Sequence, residues 1–408
     1  MNLVIIGAQW GDEGKGKIVD YLAEDADTVI RFSGGANAGH TIVHNDITYK
    51  LHLVPSGIIY PEKTVYMGTA MVIDLESLFN ELDTLEKQGI EWKGRLFISD
   101  RAHIVFPSYK QKDIEMEKTR RNPIGTTGRG IGVAYALKSY REGIRIGDIF
   151  DKAIYNILRP DEKEYVDKYK DLLEKMVVNL ADIMAKEKNK RKLFEGAQGA
   201  LLDPDIGTYP YVSSGSSSAV GACTGGAIGP LDIDRILGVF KAYNTRVGNG
   251  PFPTEFNNET EGELENTIRE TGREYGVTTG RPRRIGYLDL VALKYVCAMN
   301  SINSLVLTHI DIYDDMKDLK ACVAYNINGK ETTSFPTSIT SLENAKPVFK
   351  TFKGWGKKIG DVKEYSHLPA ETKNYIEFIE KFTGVSVDII SVGYQRNATM
   401  VRKNIWTR

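Results

Sequence analysis

The chain opens on an unbroken apolar run, Leu3, Val4, Ile5 and Ile6, the pattern of a strand buried on both faces of a parallel sheet. The period then changes. Ile18, Val19 and Leu22 recur at helical spacing within Lys15 to Ala23, so strand, glycine-rich turn and helix follow one another. A second unit has Val65, Tyr66 and Met67 ahead of a helix near 75–87, with Leu75, Leu78, Phe79 and Leu82 on one face. Arg95 to Ser99 and Leu305 to Thr308 read as further buried strands. Strands alternating with helices predict an α/β fold whose sheet is largely parallel at its centre. Hairpins decorate it: Asn45-Asp46 separates Thr41–Val43 from Thr48–Leu53, and Asn328-Gly329 follows Cys322–Ile327. Residues 151–191 form a charged helical surface segment. Within it Asp161 to Lys190 predicts one helix or a pair, with the charges on a solvated face. Neither repeats nor a long proline-rich linker divide the chain, so 1–408 reads as a single domain.

Composition narrows the partners. A chain of 408 residues with 41% hydrophobic and 26% charged residues has an ordinary globular make-up. A net charge of -1 gives no general attraction to nucleic acid or acidic lipid, so any anion site is local. The three cysteines, Cys223, Cys297 and Cys322, are scattered and read as reduced, packed thiols. Leu3–Ile6 is too short for a signal-peptide core, and no apolar run nears the roughly 20 residues of a membrane span. The expectation is a cytoplasmic protein without nucleic-acid or membrane partners.

Chemistry concentrates in glycine-rich clusters. Gly7-Ala8-Gln9-Trp10-Gly11-Asp12-Glu13-Gly14-Lys15-Gly16-Lys17 joins a strand to a helix. Such a loop offers backbone N–H groups and a helix N-terminus to phosphate, while its lysines add charge. Gly11 to Lys17 begins like a P-loop, but Ile18 stands where the magnesium-holding hydroxyl would be, which makes Asp12 the candidate metal ligand. Gly34-Gly35-Ala36-Asn37-Ala38-Gly39-His40-Thr41 is a second phosphate-compatible loop, ending in an imidazole. His40 and His44 are four apart, but glycines before and a turn after favour loop and hairpin over a helical metal pair. Ile124 to Gly132 supplies amides and hydroxyls, and Phe194 to Gly199 a polar pair just after a strand. Val277 to Arg284 gathers three guanidiniums around a proline, suited to carboxylate or phosphate. Thr308-His309-Ile310-Asp311 ends a strand on an aspartate, a carboxylate that could accept from the N–H edge of guanine, although alone it reads first as a helix N-cap. Each cluster alone is weak; together they describe a site holding several anions.

In this order Gln-Trp-Gly-Asp-Glu-Gly-Lys-Gly-Lys (9–17), Asn-Ala-Gly-His-Thr (37–41), Gly-Thr-Thr-Gly-Arg-Gly-Ile-Gly (125–132), Phe-Glu-Gly-Ala-Gln-Gly (194–199) and Thr-Thr-Gly-Arg-Pro-Arg-Arg (278–284) resemble the adenylosuccinate synthetase family. The match runs from Ile5 to Gly393. The resemblance implies a single-domain α/β fold around a large central sheet flanked by helices, and a homodimer. It implies a GTP-dependent ligase of de novo AMP biosynthesis. That reaction forms adenylosuccinate from IMP and L-aspartate through 6-phosphoryl-IMP, releasing GDP and phosphate.

Carried onto these positions, the resemblance makes Asp12 the general base and a ligand of one Mg2+ per subunit, with the Gly39 carbonyl as another ligand. His40 is then the general acid, Gln198 orients the base of IMP, and Lys15 offsets phosphoryl charge. Gly11, Asp12, Glu13, Gly14, Lys15, Gly16 and Lys17, with Gly39, His40 and Thr41, hold the phosphates of GTP, and Arg283 also touches it. His309, Ile310 and Asp311, with Ser391, Val392 and Gly393, surround guanine. Asp12, Glu13, Gly14, Lys15, Asn37, Ala38, Gly39, His40, Thr127, Gln198, Ser213 and Arg281 line the IMP pocket, joined by Arg141 from the partner subunit. Val277, Thr278, Thr279, Gly280, Arg281, Pro282 and Arg283 form the aspartate loop. Ser213 replaces a familiar threonine, His309 replaces the usual lysine, and the segment from Asp151 to Arg191 is shorter than in long members. A GTP-dependent regulatory switch is the competing reading; it would need the P-loop hydroxyl that Ile18 lacks.

Overall fold

The computed structural model describes residues 1–44, 47–276, 280 and 282–407. Strand β1 (Asn2–Gly7) is buried from Leu3 onward and lies in the middle of the main sheet. Its alternate residues serve opposite faces. Leu3 and Ile5 pack in one core with Ile18, Val19 and Leu22 of helix α1 (Lys15–Ala23), while Val4 and Ile6 pack in another with Phe194 and Phe240. This is why the run is apolar at every position rather than every second one.

The strands continue as β2 (Thr28–Gly34), the hairpin β3 (His40–His44) and β4 (Ile47–Leu51), β5 (Thr64–Ile73), β6 (Leu96–Ser99), β7 (His103–Ile104), β8 (Val177–Val178), β9 (Lys192–Gly199) and β10 (Arg235–Lys241). Then come β11 (Tyr243–Arg246), β12 (Arg284–Asp289), β13 (Ser304–Thr308), β14 (Asp318–Ile327), β15 (Lys330–Thr332), β16 (Lys346–Lys353), β17 (Val387–Ser391) and β18 (Thr399–Val401). The 11-stranded main sheet has the order β18-β17-β13-β10-β1-β9-β2-β5-β6-β8, with β7 beside β5, and every pairing except β17 with β18 is parallel. A five-stranded sheet runs β11-β12-β14-β15 with β16 beside β14. Helix α2 (Leu75–Lys87) buries Leu75, Leu78, Phe79 and Leu82, the face its spacing predicts. Both hairpins form as the turn residues indicate, although Asn45 and Asp46 themselves lie outside the described residues.

Three expectations are corrected. The stretch from Asp161 to Lys190 is neither one helix nor a pair but the short helices Pro160–Asp167, Lys170–Glu174 and Leu180–Lys186, preceded in the charged segment by Lys152–Ile157. Proline at an N-terminal position and an Asn179 cap restart the helix, and β8 between them extends the main sheet through β6. Glu195 and Gln198 lie inside β9 rather than after it, where the register against β1 shifts between Ile5 and Gly7 and Gln198 takes a positive φ of 56°. Asp311 is not a strand residue: β13 stops at Thr308, His309 turns left-handed, and Asp311 sits in the 3-10 turn Ile310–Tyr313.

The consequence for function is one of position. The first loop follows β1, the Asn37–His40 loop follows β2, Gln198 ends β9, His309–Asp311 follow β13, and Ser391 ends β17. All leave the carboxyl edge of one parallel sheet, the edge where open α/β sheets bind ligands. Among the described residues, no helix is long and apolar enough to cross a membrane.

Candidate active site

The loop between β1 and α1 is held from within. Gly11, Asp12 and Gly14 have φ of 89°, 58° and 83°, three left-handed residues that turn the chain tightly. Glu13 points inward and is fully buried. Its Oε1 accepts from the N–H groups of Gln9 (3.1 Å) and Gly11 (2.8 Å), and its Oε2 accepts from Lys15 Nζ at 2.6 Å. Glycine is required at Gly7, where a Cβ would stand 2.3 Å from that carboxylate. The loop charges are therefore partly matched to one another without a ligand. Asp12 is its outward carboxylate.

His40 begins β3 and is nearly buried. Its Nδ1 meets Glu195 Oε1 at 2.5 Å. Ser56 supports the same carboxylate, its hydroxyl donating to Oε1 at 2.9 Å and its N–H to Oε2 at 2.8 Å. Burial alone would raise the Glu195 pKa; His40, then Arg31 and the Ser56 N–H, hold it below the usual carboxylate range. Behind it, Arg31 donates to the carbonyls of His52 and Gly35. With Nδ1 engaged, the ring's Nε2 is the nitrogen left for chemistry. The start of α1 abuts this strand, since a Cβ at Gly16 would lie 3.4 Å from His40 Cβ. Gln198 stands between the two loops: its Cα is 3.9 Å from the Cβ position of Gly11, and its Oε1 is 3.5 Å from that of Gly34.

A second buried network reaches Asp12 from the other side. Arg283 Nε ion-pairs with Asp12 Oδ2 at 2.9 Å, while its Nη1 donates to Glu274 Oε2 at 2.7 Å. Glu274 Oε1 also accepts from Lys241 Nζ (2.8 Å) and Tyr243 OH (2.5 Å). Burial opposes the charge on Glu274, yet Lys241, His309 and Arg283 hold its pKa down at about 2. His309 Nε2 faces the phosphate loop, 3.6 Å from the Cβ position of Gly14, and burial followed by Lys241 pushes its pKa down to about 4. His309 thus carries a ring that is neutral near pH 7.

The remaining site residues are placed unequally. Asn37 accepts from the Gly35 N–H, and Ile131 at the head of helix α3 (Ile131–Tyr140) packs on Gly35, so the 125–132 cluster joins the second loop. Thr127 is exposed and Ser213 half-buried, its N–H bonded to the Leu202 carbonyl at 2.7 Å. Ala38, Gly39 and Thr41 lie where the second loop enters β3, and of the expected aspartate loop Gly280, Pro282 and Arg283 are described. Val277, Thr278, Thr279 and Arg281 lie outside the described residues. Arg141 is exposed at the C-terminal end of α3 and is not brought to the cluster in its own subunit. Sequence reasoning left Glu195 without a role and passed over Glu274, Ser56 and Arg31; an acid inside an otherwise apolar strand was the available signal for Glu195. Among the described residues no group of three or more His, Cys, Asp and Glu side chains could hold a metal. Asp12 with a backbone carbonyl still fits magnesium, which takes one or two carboxylates and completes its shell with phosphates and water.

A parallel sheet with a helix-capping glycine loop, an acid and a carboxylate-backed imidazole at one edge defines a nucleotide-handling α/β enzyme. The family described as adenylosuccinate synthetase matches residues 4–400. The adenylosuccinate synthetase of Acetivibrio thermocellus is 45% identical over 98% of this chain and 99% of its own, and that of Aquifex aeolicus 46% identical over 99% and 98%. The solved structure of fully ligated adenylosuccinate synthetase from Plasmodium falciparum superposes with a TM-score of 0.90 at 38% identity, covering 98% of this chain and 99% of that one. The chain belongs to the adenylosuccinate synthetase family and is a ligase of AMP biosynthesis.

Proposed function

We propose that the chain joins IMP to L-aspartate with GTP as phosphoryl donor. The observation that carries this reading is the strand order. The Asp12 loop leaves β1; on one side stand β13, whose following turn carries Asp311, and β17, which ends on Ser391, and on the other β9, which contains Gln198, and β2, whose following loop leads to His40. A nucleoside triphosphate with its base against β13 and β17 directs its terminal phosphate to the loop, towards an acceptor held by Gln198 and His40.

The 6-oxygen of IMP is a poor leaving group. Asp12 takes the N1 proton, and the resulting 6-oxyanion attacks the γ-phosphorus as the bond to the GDP oxygen breaks. His40, oriented by Glu195, stabilises charge on that oxygen, and Lys15 adds positive charge at the loop. The aspartate amine then attacks C6 and phosphate leaves. Arg283 holds Asp12 in this structure, and an incoming carboxylate or phosphate offers it a second anion. Magnesium would be held by Asp12 and the Gly39 carbonyl and, when bound, would neutralise charge on the phosphates.

Arg141 is assigned to the IMP phosphate of a second subunit in a homodimer. What supports this is distance: α3 has 10 residues, which separates Arg141 from the helix head by about 15 Å, and its side chain is exposed. The test is omission. With magnesium and GTP, phosphate release should require IMP and aspartate together; release without them refutes the ligase reading and favours the switch.

A further inference from the structure

Lys17 closes the glycine-rich motif, and its position in the sequence assigns it to phosphate. The structure turns it elsewhere. An ammonium has three N–H donors, and all are taken by one short stretch of chain: Ser391 Oγ at 2.7 Å, the Gly393 carbonyl at 2.7 Å and the Ala398 carbonyl at 3.0 Å. No donor remains for a phosphate oxygen. The stretch is a strap between β17 and β18, closed on itself by Val392 N–H to the Ala398 carbonyl (3.0 Å) and Ser391 Oγ to the Gly393 carbonyl (3.1 Å).

The strap is tied to α1 a second time. Arg396 Nε pairs with Asp20 Oδ2 at 3.2 Å and its Nη2 with Glu24 Oε2 at 2.6 Å and the Tyr21 carbonyl at 3.3 Å. Lys17, Asp20, Tyr21 and Glu24 are spaced three, four and seven apart, so one face of α1 clamps the strap. Asp311, on the neighbouring turn after β13, is the anion that acts most on the Lys17 charge. Burial pushes the Asp311 pKa up, and Lys17 draws it back towards the ionised form.

We propose that Lys17 is a positioning residue for the purine base of the nucleoside triphosphate: it fixes the 391–398 strap against α1 and sets a positive charge beside Asp311, and it is not a phosphate ligand. The proposal rests on the GTP reading above and predicts which part of the nucleotide suffers when Lys17 is lost. A phosphate lysine matters to GDP but not to guanosine. A strap lysine matters to both.

The full chain and its Lys17→Met variant are titrated calorimetrically with GDP and with guanosine, readouts that need no turnover. Expected is a loss of about 10- to 100-fold, equal for the two ligands, with the loss in turnover falling on the KM for GTP far more than on kcat or on the KM for IMP. A loss confined to GDP, or unchanged binding of both, overturns the proposal. Should Lys17→Met fail to fold, Ser391→Ala decides: it removes one of the three acceptors and should weaken guanosine and GDP alike by a smaller factor, whereas unchanged guanosine binding refutes the strap. A wild-type chain that binds no GDP sinks the GTP reading itself, an outcome distinct from any of these.

Discussion

Replacing Glu195 with glutamine tests whether the carboxylate behind His40 does more than fill space. Glu195 accepts from His40 Nδ1, from the Ser56 hydroxyl and from the Ser56 N–H, and it is fully buried. An amide of the same shape has one acceptor oxygen and one donor nitrogen. The Ser56 N–H needs an acceptor, so the oxygen stays at the Oε2 position and the NH2 faces His40. Nδ1 must then accept, which fixes the wrong tautomer and removes the anion that a charged ring would pair with. A hydrogen bond to a charged group is worth about 1.5–3 kcal/mol. At 1.36 kcal/mol per decade, turnover should fall about 10- to 150-fold, with the KM for GTP little changed, since in the proposed mechanism His40 Nε2 acts on the transferring oxygen.

The same change unbalances Arg31, whose buried guanidinium has Glu195 as its main opposing charge and Glu81 as the next. Stability should therefore fall by a few kcal/mol, so phosphate release is normalised to the folded fraction from circular dichroism. Turnover within about twofold of wild type, in folded protein, refutes the orienting role and leaves Glu195 as a counter-ion for Arg31 alone.

Asp12→Asn keeps the size of the side chain but cannot take the N1 proton; steady-state turnover should drop by about 10²–10⁴, and near-normal turnover in purified protein removes Asp12 as the base. Mixing that protein with Arg141→Ala should recover part of the activity once subunits exchange, because one site of the hybrid has both groups; exchange without recovery counts against a shared site. Asp289 caps the helix Leu290–Met299 through Ala292 N–H (3.0 Å) and accepts from Tyr325 OH (2.5 Å), and burial pushes its pKa up to about 6. The folded state thus holds the proton more tightly than the unfolded chain, so this group's contribution is present below pH 4 and is lost as pH rises to about 6. About 3 kcal/mol is at stake: Asp289→Asn, which still caps but never ionises, should gain on wild type between pH 4 and 7 in urea melts, and a pH-independent difference would sink the argument.

What could be read from sequence was what depends on local period. Lys15–Ala23 and Leu75–Lys87 form the helices their apolar spacing marks, because a stripe of that period has one side to bury. Turn chemistry located both hairpins for the same reason. The charged segment escaped because four short helices and a two-residue strand are each shorter than the windows in which period can be seen. Long-range pairing was also invisible. Nothing near Asp12 announces Arg283, nothing near His40 announces Glu195, and Lys17 reads as a phosphate lysine until its partners 374 or more residues away are in view. The candidate site residues stand in motifs; the residues packed behind them depend on which strands the sheet brings together.

That division explains how charges survive in a glycine loop before any ligand arrives. Glu13 and Lys15 pair inside it, Asp12 pairs with Arg283, and Lys17 is spent on the strap. A loop that relied on its ligand for neutrality would pay for buried, uncompensated charge whenever the site was empty. Among the described ion pairs of this loop, the Asp12–Arg283 pair, with Asp12 37% exposed, lies where an incoming anion could exchange partners. Glu274 keeps hold of Arg283 through a separate nitrogen, so Arg283 can release Asp12 without itself becoming unpaired. On the proposed reading, nucleotide binding at this edge exchanges ion-pair partners at Asp12 and Arg283, while Glu13, Lys15 and Lys17 keep the partners they already have.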